Sequence, residues 1–185
     1  MKRLPILAVT LVVAVLAAIG VVIGVVAVAD RDTGPARMGP MMSGAMMGGT
    51  SAASEPEYLA EMVAHHEEAV AAARELARSD RAEMRAFGES IVQTQSAQIE
   101  QMKTWLADWY PDQPAAVDYR PMMRDLSSLS GDRLDRSFLQ DMIGHHMVAV
   151  MMSQHLLRQG ADHAEVAALA RSIRDDQHTE IIQMR

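Results

Sequence analysis

Tyr58-Leu-Ala-Glu-Met62-Val-Ala-His65-His66-Glu-Glu-Ala69-Val70 reappears eighty residues later as Phe138-Leu-Gln-Asp-Met142-Ile-Gly-His145-His146-Met-Val-Ala149-Val150. In the first copy Tyr58, Met62, His65, Ala69, Ala72 and Leu76 recur at alternating steps of four and three. Phe138, Met142, His145, Ala149, Met152 and Leu156 do the same in the second. That period is the core seam of an amphipathic helix. A neighbouring seam carries Leu59, Val63, His66, Val70 and Ala73, matched by Leu139, Ile143, His146, Val150 and Ser153. Both members of each His pair therefore sit on or beside the buried face. Glu61, Glu68, Arg74, Glu75 and Arg78 fall on the outer face. Four imidazoles in an apolar interior cost free energy unless each finds a hydrogen-bond or metal partner.

The duplication continues past the turn at a spacing of 82. Asp80-Arg-Ala-Glu83 matches Asp162-His-Ala-Glu165, and Ile91, Gln95, Ile99 and Met102 match Ile173, Gln177, Ile181 and Met184. Both Asp-x-x-Glu segments read as helix N-caps, Ser54-Glu-Pro-Glu57 is a similar signal, and Gly160 suits a helix C-terminus. The predicted helices lie near 55–78, 81–109, 133–159 and 163–185. Each half is an αα-hairpin with one apolar face, which cannot be buried alone. Two packed together give an all-α four-helix bundle. Its first repeat spans 54–109, its connector 110–131 and its second repeat 132–185. Pro111, Pro114 and Pro121 break the connector, and Met122 to Leu129 is expected to form one short helical piece.

Lys2 and Arg3 precede an uncharged, apolar run from Leu4 to Ala29. It exceeds the roughly 20 residues that span a bilayer and the ~7–15 of a signal-peptide core. Ala27-Val28-Ala29 before Asp30 also offers small residues for signal cleavage. Residues 1–30 are thus expected to be a transmembrane anchor, with cleavage after Ala29 as the alternative. Either way the remainder is exported, to the extracytoplasmic side of the membrane or to the periplasm or medium. A Gly-, Ser- and Met-rich linker is expected over 31–53.

The net charge of −7 and the lack of a basic stripe argue against nucleic acid as a partner. The absence of cysteine excludes disulfides, thiolate zinc sites and a cysteine nucleophile. No acid/base dyad or phosphate loop is evident, so an enzyme is not expected, although a metal-dependent redox activity stays open.

Sixteen methionines are many for 185 residues. Some are core filler. Met62 stands three residues before His65 and four before His66, on the same helical face, and Met142 stands likewise to His145 and His146. Met147, Met151 and His155 follow at steps of four, with Met152 three before His155. Imidazole and thioether without thiolate suit copper, Cu(I) above all, and silver by the same logic. Gln95 and Gln177 share the buried seam of the partner helices and are expected to face the histidines and fix their tautomers. Gln98 and Glu180 lie one turn further on. Met38, Met41, Met42, Met46 and Met47 in the linker make a second candidate site. A carboxylate-bridged di-iron site would need Glu-x-x-His pairs, and the spacing here does not supply them in both halves.

Phe138, Leu139, Met142, Ile143, His145, His146 and Ala149, followed by Ile173, Gln177, Glu180, Ile181 and Met184, resemble the Domain of Unknown Function 305 family of exported bacterial proteins. Residues 54–109 resemble a first copy. The resemblance implies a ferritin-like four-helix bundle and an association with copper binding and resistance in the periplasm. The first copy departs from the pattern with Gln98 in place of the acid at Glu180 and with Ala71, Ala72 and Glu75 where the second has Met151, Met152 and His155. If both halves bind metal, the second is therefore expected to bind more strongly or to take more ions.

The resulting expectation is an extracytoplasmic copper-binding protein that buffers or chaperones Cu(I), or serves resistance. His65, His66, His145, His146, Met62 and Met142 are its candidate ligands, with Met147, Met151, Met152 and His155 an auxiliary patch. Its expected partners are a metal ion, the membrane through the N-terminal helix, and a copper-handling protein. The alternative is a helical interaction module whose histidines are structural or respond to pH.

Overall fold

The structure, a computed structural model, describes residues 54–113 and 117–185. The expected anchor and linker, with Met38, Met41, Met42, Met46 and Met47, lie outside the described residues. The described residues form four α-helices, α1 (Glu55–Glu75), α2 (Ala82–Trp109), α3 (Gly131–Gln159) and α4 (Ala164–Gln183), with a 3-10 turn at Leu76–Arg78 closing α1. Among the described residues there is no strand and no helix long and apolar enough to cross a membrane.

Local chemistry explains most helix ends. Pro56 lies in the first turn of α1, where its missing N–H has no helical acceptor to lose. Glu55 and Glu57 sit at the positive end of the same helix. Gly160 ends α3 at φ 91°, a conformation that side chains rarely adopt.

The Asp caps expected at Asp80 and Asp162 are not used. The helices begin one residue later, with Arg81 and His163 in extended N-cap positions and no side-chain cap bond. Each instead pairs with a buried carboxylate of the other repeat. Glu55 accepts from the backbone N–H of His163 at 3.0 Å and lies 2.7 Å from its Nδ1. Asp135, eighty residues after Glu55, sits 3.6 Å from the Arg81 guanidinium. These two related clasps join the start of one repeat to the middle of the other.

α1 packs along α2 and α3 along α4, and the hairpins meet through α1 and α3. Gly88 permits the first of these approaches, since a Cβ there would lie 2.7 Å from the Ala73 carbonyl oxygen and 2.8 Å from the Leu76 Cβ. Two apolar clusters fill the interior. One joins the start of α1 (Tyr58, Leu59, Met62) to the end of α3 (Met152, Leu156). The other joins the end of α1 (Ala72, Leu76) to the start of α3 (Leu134, Phe138, Met142). α1 and α3 are thus antiparallel, and the histidine pairs fall between the two clusters.

The short helix expected over Met122 to Leu129 does not form. Only a turn near Leu126–Leu129 is present. The reason is that the connector's backbone groups are claimed by side chains of the bundle. Glu68 accepts from the amides of Met122 and Met123 at 2.7 and 2.9 Å. Arg78 donates to the carbonyls of Leu126 and Leu129 at 2.9 and 2.8 Å, and Asp141 holds Arg124 through both carboxylate oxygens.

Candidate metal centre

His65 and His66 on α1 and His145 and His146 on α3 are all buried. They form a polar layer across the middle of the bundle. The rings of His65 and His145 lie face to face, their centroids 3.6 Å apart at 36°. The rings within each pair are 6.2 Å apart.

Three of the four imidazoles are held from behind at Nε2. His66 Nε2 lies 2.9 Å from the amide oxygen of Gln98 on α2. His146 Nε2 lies 2.5 Å from the carboxylate of Glu180 on α4. The repeat relation is kept here, an amide in the first half standing where the second has an acid. His145 Nε2 lies 3.2 Å from Glu68 Oε2 and 3.5 Å from the Tyr119 hydroxyl, while Tyr119 donates to that same carboxylate. The Nδ1 atoms of all four rings, and Nε2 of His65, are buried with no hydrogen-bond partner.

Burial is the largest influence on these rings and lowers the pKa of each of three. His66 is pushed down to about 3 despite its bond to Gln98. His65 falls well below the usual imidazole value, burial being reinforced by the neighbouring histidines. His145 is lowered by burial against the opposing pull of Glu68. Glu68 shows the opposite balance. Burial raises it, but the bonds from His145, Tyr119 and the Met123 amide win and bring it down to about 2. The rings of His65, His66 and His145 are neutral and the Glu68 carboxylate ionised near pH 7, the state in which imidazole nitrogen binds a metal.

Met62 and Met142 are fully buried, one in each apolar cluster flanking the histidine layer. The auxiliary residues divide. Met152 packs in the core, whereas Met147 and Met151 are 46% and 48% exposed, so the four do not share one face. His155 is half-buried with its Nε2 unpartnered. Gln95 and Gln177 are buried, but their side-chain oxygens meet no partner. The histidine contacts are made one turn further on, by Gln98 and Glu180.

Sequence periodicity assigns Glu68 to the outer face. It is instead the hub that ties the connector to His145. Tyr119 carries no sequence signal, yet its edge faces the His65 ring with centroids 6.2 Å apart. No period marks it, because the connector has none.

Among the described residues, no group of three or more His, Asp or Glu side chains is placed to hold a metal ion by itself. A hard divalent ion, which takes six or more oxygen ligands, has no such set among the described residues. Bare imidazole nitrogens in an apolar surround suit a soft cation of low coordination number.

A family model described as "Domain of unknown function (DUF305)" matches residues 26–106 and again 55–185. Among solved structures, CopM in its Cu(I)-bound form is 27% identical with a TM-score of 0.64, covering 71% of this chain and 92% of CopM. CopM is also known in Cu(II)- and Ag-bound forms. A DUF305 fragment from Deinococcus radiodurans is 32% identical with a TM-score of 0.62, covering 70% of this chain and 91% of the fragment. A DUF305 protein from Streptomyces coelicolor, described as secreted, is 28% identical with a TM-score of 0.63, covering 72% of this chain and 90% of its own. No curated protein matches the chain.

Proposed function

This chain belongs to the domain of unknown function 305 family, and we propose that it is an extracytoplasmic copper-binding protein that takes Cu(I) into the histidine layer between α1 and α3. The observation that carries the reading is the set of four buried Nδ1 atoms without partners. An orphaned polar atom costs about 1–3 kcal/mol, and four in one layer call for a ligand that recovers that loss. His65, His66, His145 and His146 supply imidazole, and Met62 and Met142 supply thioether. Met147, Met151 and His155 offer a looser set at the surface for acquiring or passing on the ion, which is the behaviour of a buffer or chaperone. A bound copper ion supplies no chemistry that the protein is proposed to use, and the reading is not of an enzyme. The likeness to CopM, solved with Cu(I), Cu(II) and Ag, supports the metal class. The apolar run from Leu4 to Ala29 and the likeness to a protein described as secreted support an extracytoplasmic location, and the run itself is proposed as an anchor, with cleavage after Ala29 the alternative.

The test is competition of the purified full chain with a Cu(I) chelator. The native chain should retain Cu(I), and replacing His65, His66, His145 and His146 together by Gln should abolish the tight component. Unchanged affinity in that variant would refute the assigned ligands.

A further inference from the structure

Resting on the copper reading, we propose that His66, His145 and His146 present Nδ1, and not Nε2, to the bound cation, because Gln98, Glu68 with Tyr119, and Glu180 each hold the ring proton on Nε2. A neutral imidazole carries one N–H and one bare nitrogen, and the partner of one nitrogen decides which is which. A Glu180 carboxylate oxygen lies 2.5 Å from His146 Nε2, where it is the acceptor for the ring N–H. Ionised Glu68 likewise accepts, and the Tyr119 hydroxyl, having given its own proton to Glu68, can only accept from His145 Nε2 as well. The Gln98 oxygen is the corresponding acceptor for His66 Nε2, at 2.9 Å. In each ring the bare nitrogen is therefore Nδ1, the atom that is buried without a partner. His65 has no side-chain partner at either nitrogen, so no such contact fixes its tautomer.

The assignment has a geometric consequence. Nδ1 is bonded to Cγ, so a cation held there stays close to the helices that carry the rings. Glu68 and Glu180 stand on the far side of their rings and contact the imidazoles, not the ion. They are positioning residues whose charge is felt through the ring. A site that offers bare imidazole nitrogen, with its carboxylates set back behind the rings, favours a monovalent d10 cation over hard divalent ions.

The test uses the full chain labelled with 15N-histidine. Without metal, long-range 1H–15N spectra should show Nε2–H for His66, His145 and His146. With Ag(I), a diamagnetic stand-in for Cu(I), the Nδ1 resonances should move and couple to silver while Nε2 keeps its proton. Nδ1–H in the metal-free protein, or silver coupling at Nε2, would overturn the inference and leave the copper reading standing. Failure of the chain to take up Ag(I) or Cu(I) at all in chelator competition would remove that reading and the inference with it. Glu180→Leu should release the His146 tautomer and weaken silver binding by about 10–100-fold. Glu180→Gln should keep Nε2–H, since it copies the arrangement at Gln98. Native tautomer and affinity in Glu180→Leu would refute the positioning role.

Discussion

The Tyr58 hydroxyl and the Ser153 hydroxyl meet at 3.0 Å across the α1–α3 interface, both fully buried. The repeat relation places Phe138 where Tyr58 stands and Ala73 where Ser153 stands, and those two are apolar members of the opposite core cluster. One interior crossing is thus polar on both sides and its relative is apolar on both sides. The pairs behave as units, because a half-polar crossing leaves a buried hydroxyl alone. Tyr58→Phe should therefore lower stability by about 1–3 kcal/mol. Adding Ser153→Ala should recover most of that loss by making this crossing resemble its relative. Urea melts of the two single variants and the double give the coupling directly.

The two glycines inside helices should respond in opposite directions. Gly88 has the Ala73 carbonyl 2.7 Å from where a Cβ would go, and backbone cannot swing aside. Gly88→Ala should cost about 1–3 kcal/mol through overpacking, more than the ~1 kcal/mol that alanine gains in helix propensity. At Gly144 a Cβ would meet nothing within 4 Å, so Gly144→Ala should stabilise by about 0.5–1 kcal/mol. Thermal melting of both variants checks the signs.

The hairpins, their boundaries to within a few residues and the burial of all four histidines are legible in the sequence because they rest on period and repetition. The clasps are not. Glu55 meets His163 from 108 residues away, and a carboxylate in the first turn of a helix reads as a surface residue. Glu68 misleads for a related reason. Its position on the helical wheel is outward, but the connector folds back over that face and makes it an anchor. The seam favours Gln95 and Gln177 over Gln98 and Glu180 because it marks burial, whereas contact with the rings depends on which side of the seam a residue leans.

Acid should weaken the fold through the histidine layer. His66 has a folded pKa of about 3 against ~6.5 when unfolded, so between those values the unfolded chain binds the extra proton. Stability is then fully present above pH ~6.5 and falls as pH drops toward 3, by at most about 1.4 kcal/mol per pH unit for this group. The lowered values of His65 and His145 add slope of the same sign. Glu68 joins only below its unfolded value of ~4.3, again losing stability toward pH 2. Urea midpoints measured from about pH 4 to 8 should rise with pH, and His66→Gln should flatten the curve between about pH 5 and 6.5.

Removing one side of the Glu55 clasp should be costly. Glu55 accepts from the His163 backbone N–H, from Tyr110 at 3.0 Å and faces His163 Nδ1, with the His163 ring stacked on Trp109 at 3.8 Å. Glu55→Ala strands these donors, at about 1–3 kcal/mol for the buried ones. It should also loosen the start of α4, read as faster amide exchange over 163–167 with the remainder of the bundle protected. Uniform loss of protection would mean that the clasp is not a local fastening.

The difference between the halves should appear in metal affinity. A cation on His146 lies behind a ring that faces the Glu180 carboxylate, whereas one on His66 lies behind a ring that faces the neutral Gln98 amide. A carboxylate one ring away attracts a monovalent cation by an amount that matters at the partly screened permittivity of a protein edge, on the order of 1–2 kcal/mol, which is roughly tenfold in binding. Exchanging the two residues separates charge from position. Gln98→Glu should tighten silver or Cu(I) binding in the first half about tenfold, and Glu180→Gln should weaken it in the second by a similar factor, with the double exchange returning the total near the native value. Chelator competition on the three variants reads this. Equal affinities throughout would mean that the charge of these carboxylates is not felt by the ion.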